Sequence, residues 1–180
     1  TKTRFYNGDK DDELRAIGNI ADSALKMKWK DVTWSMSWND GFPFTSPAGK
    51  FQANAFGLHD MVGNAWEWCS DWYGKEYPKG SIRDPQGPTE GKLRITRGGA
   101  WSTQPKFCRS AFRDWHEPTY RSDCVGFRVV LTAAGERRSL TAQHAFLDAI
   151  FTAAAKAQQI ADWLHAQQGN ACRNDVRGAA

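Results

Sequence analysis

The 180-residue sequence has no apolar run approaching the roughly 18 residues of a membrane-spanning helix, and Thr1 to Lys10 lack the apolar centre of a signal peptide. The expectation is a protein that does not insert in a membrane. GxSxG, Walker-type phosphate-loop and dinucleotide-binding patterns are all missing, and Arg97-Gly98-Gly99 is too short to cradle a phosphate. His59, His116, His144 and His165 form no HxxxH or HExxH pattern, so a zinc hydrolase is excluded as well. Cys69, Cys108, Cys124 and Cys172 contain no CxxC and are too few for a disulfide scaffold; they are read as mostly reduced, in a cytoplasmic setting. Charge is not gathered into blocks: 24 basic and 20 acidic side chains are interspersed, which leaves no polyanion footprint and no expected nucleic-acid partner. Leu and Ile are sparse and no internal repeat is present.

What the sequence has instead is aromatic and turn chemistry. Nine Trp, ten Phe and four Tyr accompany 16 Gly and seven Pro, the composition of a loop-rich globular domain. All seven prolines lie before residue 132, whereas residues 132–180 are rich in Ala and Gln, so the chain divides into a domain over 1–131 and a tail over 132–180. In the tail, Leu140, Leu147, Ile150, Phe151, Ala154, Ala157, Ala161 and Leu164 recur at helical spacing between a Ser139 or Thr141 cap and a Gly169 stop. One amphipathic helix is expected there, packed on its own domain or mediating self-association, with a partner-docking helix as the other reading.

The first part reads as short strands between turns such as Asn39-Asp40-Gly41 and Asp84-Pro85-Gln86-Gly87-Pro88. Strands are expected over Ala65–Cys69, with Trp66 and Trp68 on one face, over Leu93–Arg97, and over Gly126–Leu131. This is an α+β domain with a small sheet and long irregular segments, whose backbone groups need partners other than sheet ladders.

Two segments resemble hard-cation sites: Asn19-Ile20 together with Asp40-Gly41-Phe42, and Asp60 to Glu67 with its central Gly63-Asn64-Ala65. Calcium takes about six to eight oxygens, many of them carbonyls of a turning chain. Ordinary turn and cap roles for Asp40 and Asp60 fit the same spacing. Cys108, beside Arg109, is the one weak catalytic candidate, with a small buried thiol as its alternative. Arg97, Arg109, Arg113, Arg121 and Arg128 interleave with Trp101, Phe107, Phe112, Trp115, Tyr120 and Phe127, a mixture suited to binding an acidic or aromatic ligand or to tying down loop carbonyls.

The run from Asn54 to Tyr73 strongly resembles the formylglycine-generating enzyme family, also called sulfatase-modifying factors, as do Arg97-Gly98-Gly99-Ala100-Trp101, Cys108-Arg109-Ser110-Ala111, Arg113 and Gly126-Phe127-Arg128. The resemblance covers roughly residues 4–131. It implies a C-type-lectin-like fold with a small twisted antiparallel sheet and long loops. It also implies two structural calcium sites, one through Asn19, the Ile20 carbonyl, Asp40 and the Phe42 carbonyl, the other through Asp60, the Gly63 and Ala65 carbonyls and Glu67. The family's upstream Arg-Leu-Pro-Thr-Glu-type motif has no match, so the chain is expected to hold the later part of the domain. Formylglycine-making members are similar to one another in a Gly-Gly-Ser opening and two copper-binding cysteines; here Ala100 and Thr103 stand at the serine and first cysteine positions. One thiol cannot make a two-thiolate copper site, so copper is not expected.

The resemblance therefore points to a noncatalytic relative that binds a protein, peptide or small molecule through loops 100–124. The expected contacts are Trp101, Ser102, Thr103, Phe112, Trp115, His116 and Tyr120. Alternatives are an active formylglycine-generating oxidase acting on sulfatase cysteines, a retroelement-diversified ligand-binding protein, and the C-terminal part of an iron-dependent sulfoxide synthase.

Overall fold

The computed structural model describes residues 2–77, 80, 83, 85 and 87–129; the expected tail helix lies outside them. The chain opens with a 3-10 turn over Asp11–Ala16 that buries Leu14, then enters strand β1, Gly18–Asn19, which runs parallel to β2, Val62–Gly63. Glycine is required at both ends of this ladder, because a Cβ on Gly18 would overlap the Val62 carbonyl and one on Gly63 the Asn19 carbonyl.

Helix α1, Ser23–Lys28, follows directly. Its cap is Asp22, fully buried, whose Oδ1 accepts from the N–H groups of Ala24 at 2.8 Å and Leu25 at 3.4 Å. Lys26 and Lys28 stand at its carbonyl end, where the helix dipole favours positive charge. Six residues are too few for a stable isolated helix, so its place depends on the cap and on buried Ala24 and Leu25.

The larger sheet has four strands in the order β5-β4-β3-β6, formed by β3, Trp66–Trp72, β4, Arg94–Arg97, β5, Asp114–His116, and β6, Val125–Gly126. The pairs β3–β4 and β4–β5 are antiparallel as expected, whereas β6 lies parallel to β3, with Trp66 opposite Val125 and Glu67 opposite Gly126. The sheet is thus mixed. The strand expected over Gly126–Leu131 is only β6 among the described residues, since Phe127 and Val129 are exposed.

One apolar cluster joins Phe5, Leu14, Ile17, Ile20, Val62 and Cys108. A second is aromatic: Trp101 meets Trp29 and Phe44 with ring centroids 5.2 Å away in each case. These rings supply core volume that the scarce Leu and Ile do not.

Side chains satisfy much of the irregular backbone. Asn54 Oδ1 accepts from the N–H groups of Phe56 and Leu58, and the Asn64 amide exchanges hydrogen bonds with both backbone groups of Ser46. Arginines act in the same way, with Arg94 donating to the Ser70 carbonyl, Arg97 to that of Ser110, and Arg113 to that of Gly74 at 3.1 Å. This is the loop-tying role open to them from sequence.

Candidate functional site

The first candidate cation cradle is built where β1 ends. Asn19 is fully buried; its Nδ2 donates to the Phe44 carbonyl at 2.7 Å, while its Oδ1 is buried without a hydrogen-bond partner. In the Asn39-Asp40-Gly41 segment, Asp40 Oδ1 accepts from the Phe42 N–H at 2.7 Å and Oδ2 is likewise buried and unpartnered. The backbone N–H of Asp40 donates to Asp22 Oδ2, which brings two carboxylates together. Burial, and then the Asp22 charge, push the Asp40 carboxyl up to about 7. Each of these two orphaned buried oxygens is a group that a hard cation would satisfy, so the donor chemistry of these residues fits calcium. Among the described residues no group of three or more His, Cys, Asp or Glu could hold a metal, so such a site has to rely on amide and carbonyl oxygens.

The second set fits less well. Asp60 adopts φ 55°, a left-handed conformation that Asp tolerates, and its Oδ2 accepts from the Gly49 N–H at 2.6 Å; its Oδ1 is buried without a partner. Gly63 lies in β2 and Ala65 just before β3. Glu67, however, is engaged: both of its carboxylate oxygens accept from the Arg128 guanidinium, which also donates to the carbonyls of His59 at 3.1 Å and Asp60 at 3.0 Å. The expected ligand set omitted Arg128, which lies 61 positions from Glu67.

Cys108 is buried to 2% exposure and packs against Gly99, where a Cβ would overlap its Sγ. Its Sγ lies 3.6 Å from the Gln104 carbonyl, and burial pushes the thiol far above its ordinary range. This geometry is that of a small core side chain. Cys69 is free and half-buried, while Cys124 is disulfide-bonded, so the reading of mostly reduced cysteines does not extend to Cys124. In the native protein Cys69 is expected to react with a thiol reagent such as 5,5′-dithiobis(2-nitrobenzoate) at least ten times faster than Cys108, measured by mass spectrometry of labelled peptides.

The seven expected ligand contacts do not share one surface. Trp101 and Thr103 are only 2% and 4% exposed, a correction to their assignment as loop contacts. Trp101 is held in the aromatic core, and Thr103 Oγ1 accepts from the Ala100 N–H at 3.0 Å. The Ser102 carbonyl accepts from the Trp34 indole at 3.4 Å. Phe112 packs with Phe107 and Trp66, whereas His116 stacks on Tyr120 at 4.2 Å with Trp68 edge-on to it. Trp115, adjacent to His116 in β5, points to the other sheet face, where it stacks on Tyr73 at 4.3 Å.

Phe112, His116 and Tyr120 thus remain on one side, together with Trp66 and Trp68. Asp114, buried and 3.5 Å from His116 Nε2, belongs to the same side and was missed from sequence. Alternation within the short Asp114–His116 strand is the signal that could have found it.

The sulfatase-modifying factor enzyme 1-like domain family matches residues 3–133. The mouse (Mus musculus) formylglycine-generating enzyme is 37% identical over 97 residues, covering 52% of this chain and 26% of that protein. The serine/threonine-protein kinase pkn1 of Chlamydia pneumoniae is 38% identical over 119 residues, covering 64% of this chain and 19% of that protein. Among solved structures, Treponema denticola variable protein 1 is similar at a TM-score of 0.56 and 26% identity, over 71% of this chain and 40% of that one. The chain thus spans about a quarter of the mouse enzyme's length and less than half of the variable protein's. No helix among the described residues is long and apolar enough to cross a membrane.

Proposed function

This chain belongs to the formylglycine-generating, sulfatase-modifying-factor family and has its α+β fold, and from that premise we propose that it is a calcium-stabilised binding domain rather than a formylglycine-making oxidase. The observation that carries this reading is the state of its thiols. A copper-dependent oxidase of this family needs two thiolates converging on one soft ion. Here Thr103 stands at one of those positions, and Cys108 is buried against Gly99, with Cys69 the only other free thiol among the described residues. Cys124 is already in a disulfide, and Cys69 lies in β3. The residues present do not fit copper.

Calcium, in contrast, has the Asn19 and Asp40 oxygens waiting for a partner, with the Ile20 and Phe42 carbonyls on the same two segments. When bound, the ion would tie β1 to the turn that follows α1, supporting backbone that no long ladder holds. The ligand surface would then be the aromatic side of the sheet carrying Trp68, Phe112, His116 and Tyr120, which offers rigid rings with little side-chain entropy to lose on binding. A retroelement-diversified binder is the second reading, favoured by the likeness to the variable protein. It requires a near-repeat of the coding segment for residues 95–130 close to the gene.

The test is incubation of the full chain with copper, oxygen and a Cys-x-Pro-x-Arg peptide, followed by mass spectrometry. No conversion to formylglycine is expected; turnover at the rate of an authentic enzyme would sink the proposal.

A further inference from the structure

Trp72, Arg94 and His116 are direct partners across β3, β4 and β5, so their side chains stand side by side on one face of the larger sheet. The Arg94 guanidinium lies over the Trp72 ring, with Cζ 3.5 Å from the ring centroid, and its Nη1 donates to the Ser70 carbonyl. At the other end of the row, His116 is stacked on Tyr120 with 10° between the ring planes. Two residues along β4, Thr96 stands between its partners Trp68 and Asp114 and is fully buried. The acid and the cations of this face differ in how they are engaged. Asp114 is buried and occupied: its Oδ1 accepts from the Trp115 N–H at 3.0 Å, and its Oδ2 lies 3.5 Å from His116 Nε2. Arg94 is half-buried and ion-paired to no carboxylate among the described residues, where its Nε and Nη2 carry no hydrogen bond. Arg109, with Cζ 5.9 Å from the centroid of the Phe112 ring, borders the same side and likewise has no ion pair among those residues.

We infer that the ligand of this face is an aromatic carboxylate, its carboxyl group taken by Arg94 and its ring packed among Trp68, Trp72 and His116. This rests on the reading of the aromatic side as the ligand surface and names the chemistry that surface selects. A guanidinium laid flat on an indole keeps its N–H edge for hydrogen bonds, and the stacking holds its fork in one plane. A planar carboxylate matches that fork with two parallel charge-assisted bonds, and little further ordering of the arginine is required. A cationic ligand would meet Arg94 and Arg109, with the one acid of the row, Asp114, already facing His116. A neutral aromatic ligand would gain the ring contacts and leave the guanidinium without a counter-charge.

The experiment titrates the full chain with 2-naphthoate, 2-naphthamide and 2-naphthylmethylammonium, which share a ring system and differ in charge. Binding is read from nuclear magnetic resonance shifts of the Trp68 and Trp72 indole N–H groups and the His116 and Tyr120 ring protons. Naphthoate is expected to bind about tenfold more tightly than naphthamide, the effect of a charge-assisted pair replacing a neutral contact, and more tightly still than the ammonium. In Arg94→Gln the preference for naphthoate over naphthamide should vanish, and in Arg94→Lys, which keeps the charge and loses the fork, it should fall part of the way. Equal binding of naphthoate and naphthamide at these signals overturns the inference and leaves the ligand-surface reading intact, as does tightest binding of the ammonium. A preference for naphthoate that survives in R94Q overturns the role given to Arg94. If none of the three shifts these signals, the ligand-surface reading falls, and the inference with it. The wild-type series decides the charge preference even if a variant does not fold.

Discussion

Gly63→Ala is expected to prevent accumulation of folded protein. Gly63 sits at φ 72°, and a Cβ there would overlap the Asn19 carbonyl and stand 2.8 Å from Ile20 Cγ2. The left-handed conformation alone costs an L-residue roughly 1–2 kcal/mol. The collision is with backbone, which cannot rotate aside, so the Asn19–Gly63 pairing would have to break and take the buried Val62 and Ile20 with it. A loss of more than about 4 kcal/mol follows, a large share of the stability of a domain this size. Gly57→Ala separates the two contributions. It has φ 76° but nothing within 4 Å of the added methyl, so it should lose only about 1–2 kcal/mol. Urea unfolding of the two variants checks this; similar midpoints for G57A and G63A would show that the steric argument is wrong.

Trp101→Ala should cost about 3–5 kcal/mol, the range for emptying a large aromatic site in a core. The ring touches Trp29 and Phe44, neither fully buried itself, so its removal opens a cavity whose walls lose their main contact. Trp101→Phe keeps an aromatic edge for Phe44 and should lose less than half as much. Thermal and urea melts give both values. The outcome also bears on the ligand surface: a residue that contacts ligand from a loop would alter binding with little change in melting, and at Trp101 the reverse is expected. His116→Ala is the matched comparison on the sheet face that carries Phe112 and Tyr120, with a stability loss of about 1 kcal/mol for its ring contacts.

Much of the candidate site was legible because its signals are local. Asp40-Gly41-Phe42 and Asp60 to Ala65 announce turning backbone with carboxylates at hand, since Gly and Asp are the residues that such turns require. Thr103 and Ala100 already denied the loop a thiol pair. Strands β3 and β4 were recognisable from aromatic and β-branched runs, although β6 ended far earlier than its apolar sequence suggested. Helix α1 was not foreseen, because six residues carry too little periodicity and its cap, Asp22, does as much for Asp40 as for the helix.

The sequence by itself determined a loop-rich aromatic domain of this family, where the turns proposed to hold a cation lie, and the placing of Ala100 and Thr103 after Gly98-Gly99. Only the tertiary structure decided which of these groups meet. It turned Trp101 and Thr103 inward, sent Trp115 and His116 to opposite faces of the sheet, and carried Arg128 across 61 positions to Glu67. The physical reason is range: turn and cap chemistry is settled within a few residues, whereas burial, facing and charge compensation depend on partners that folding alone brings together.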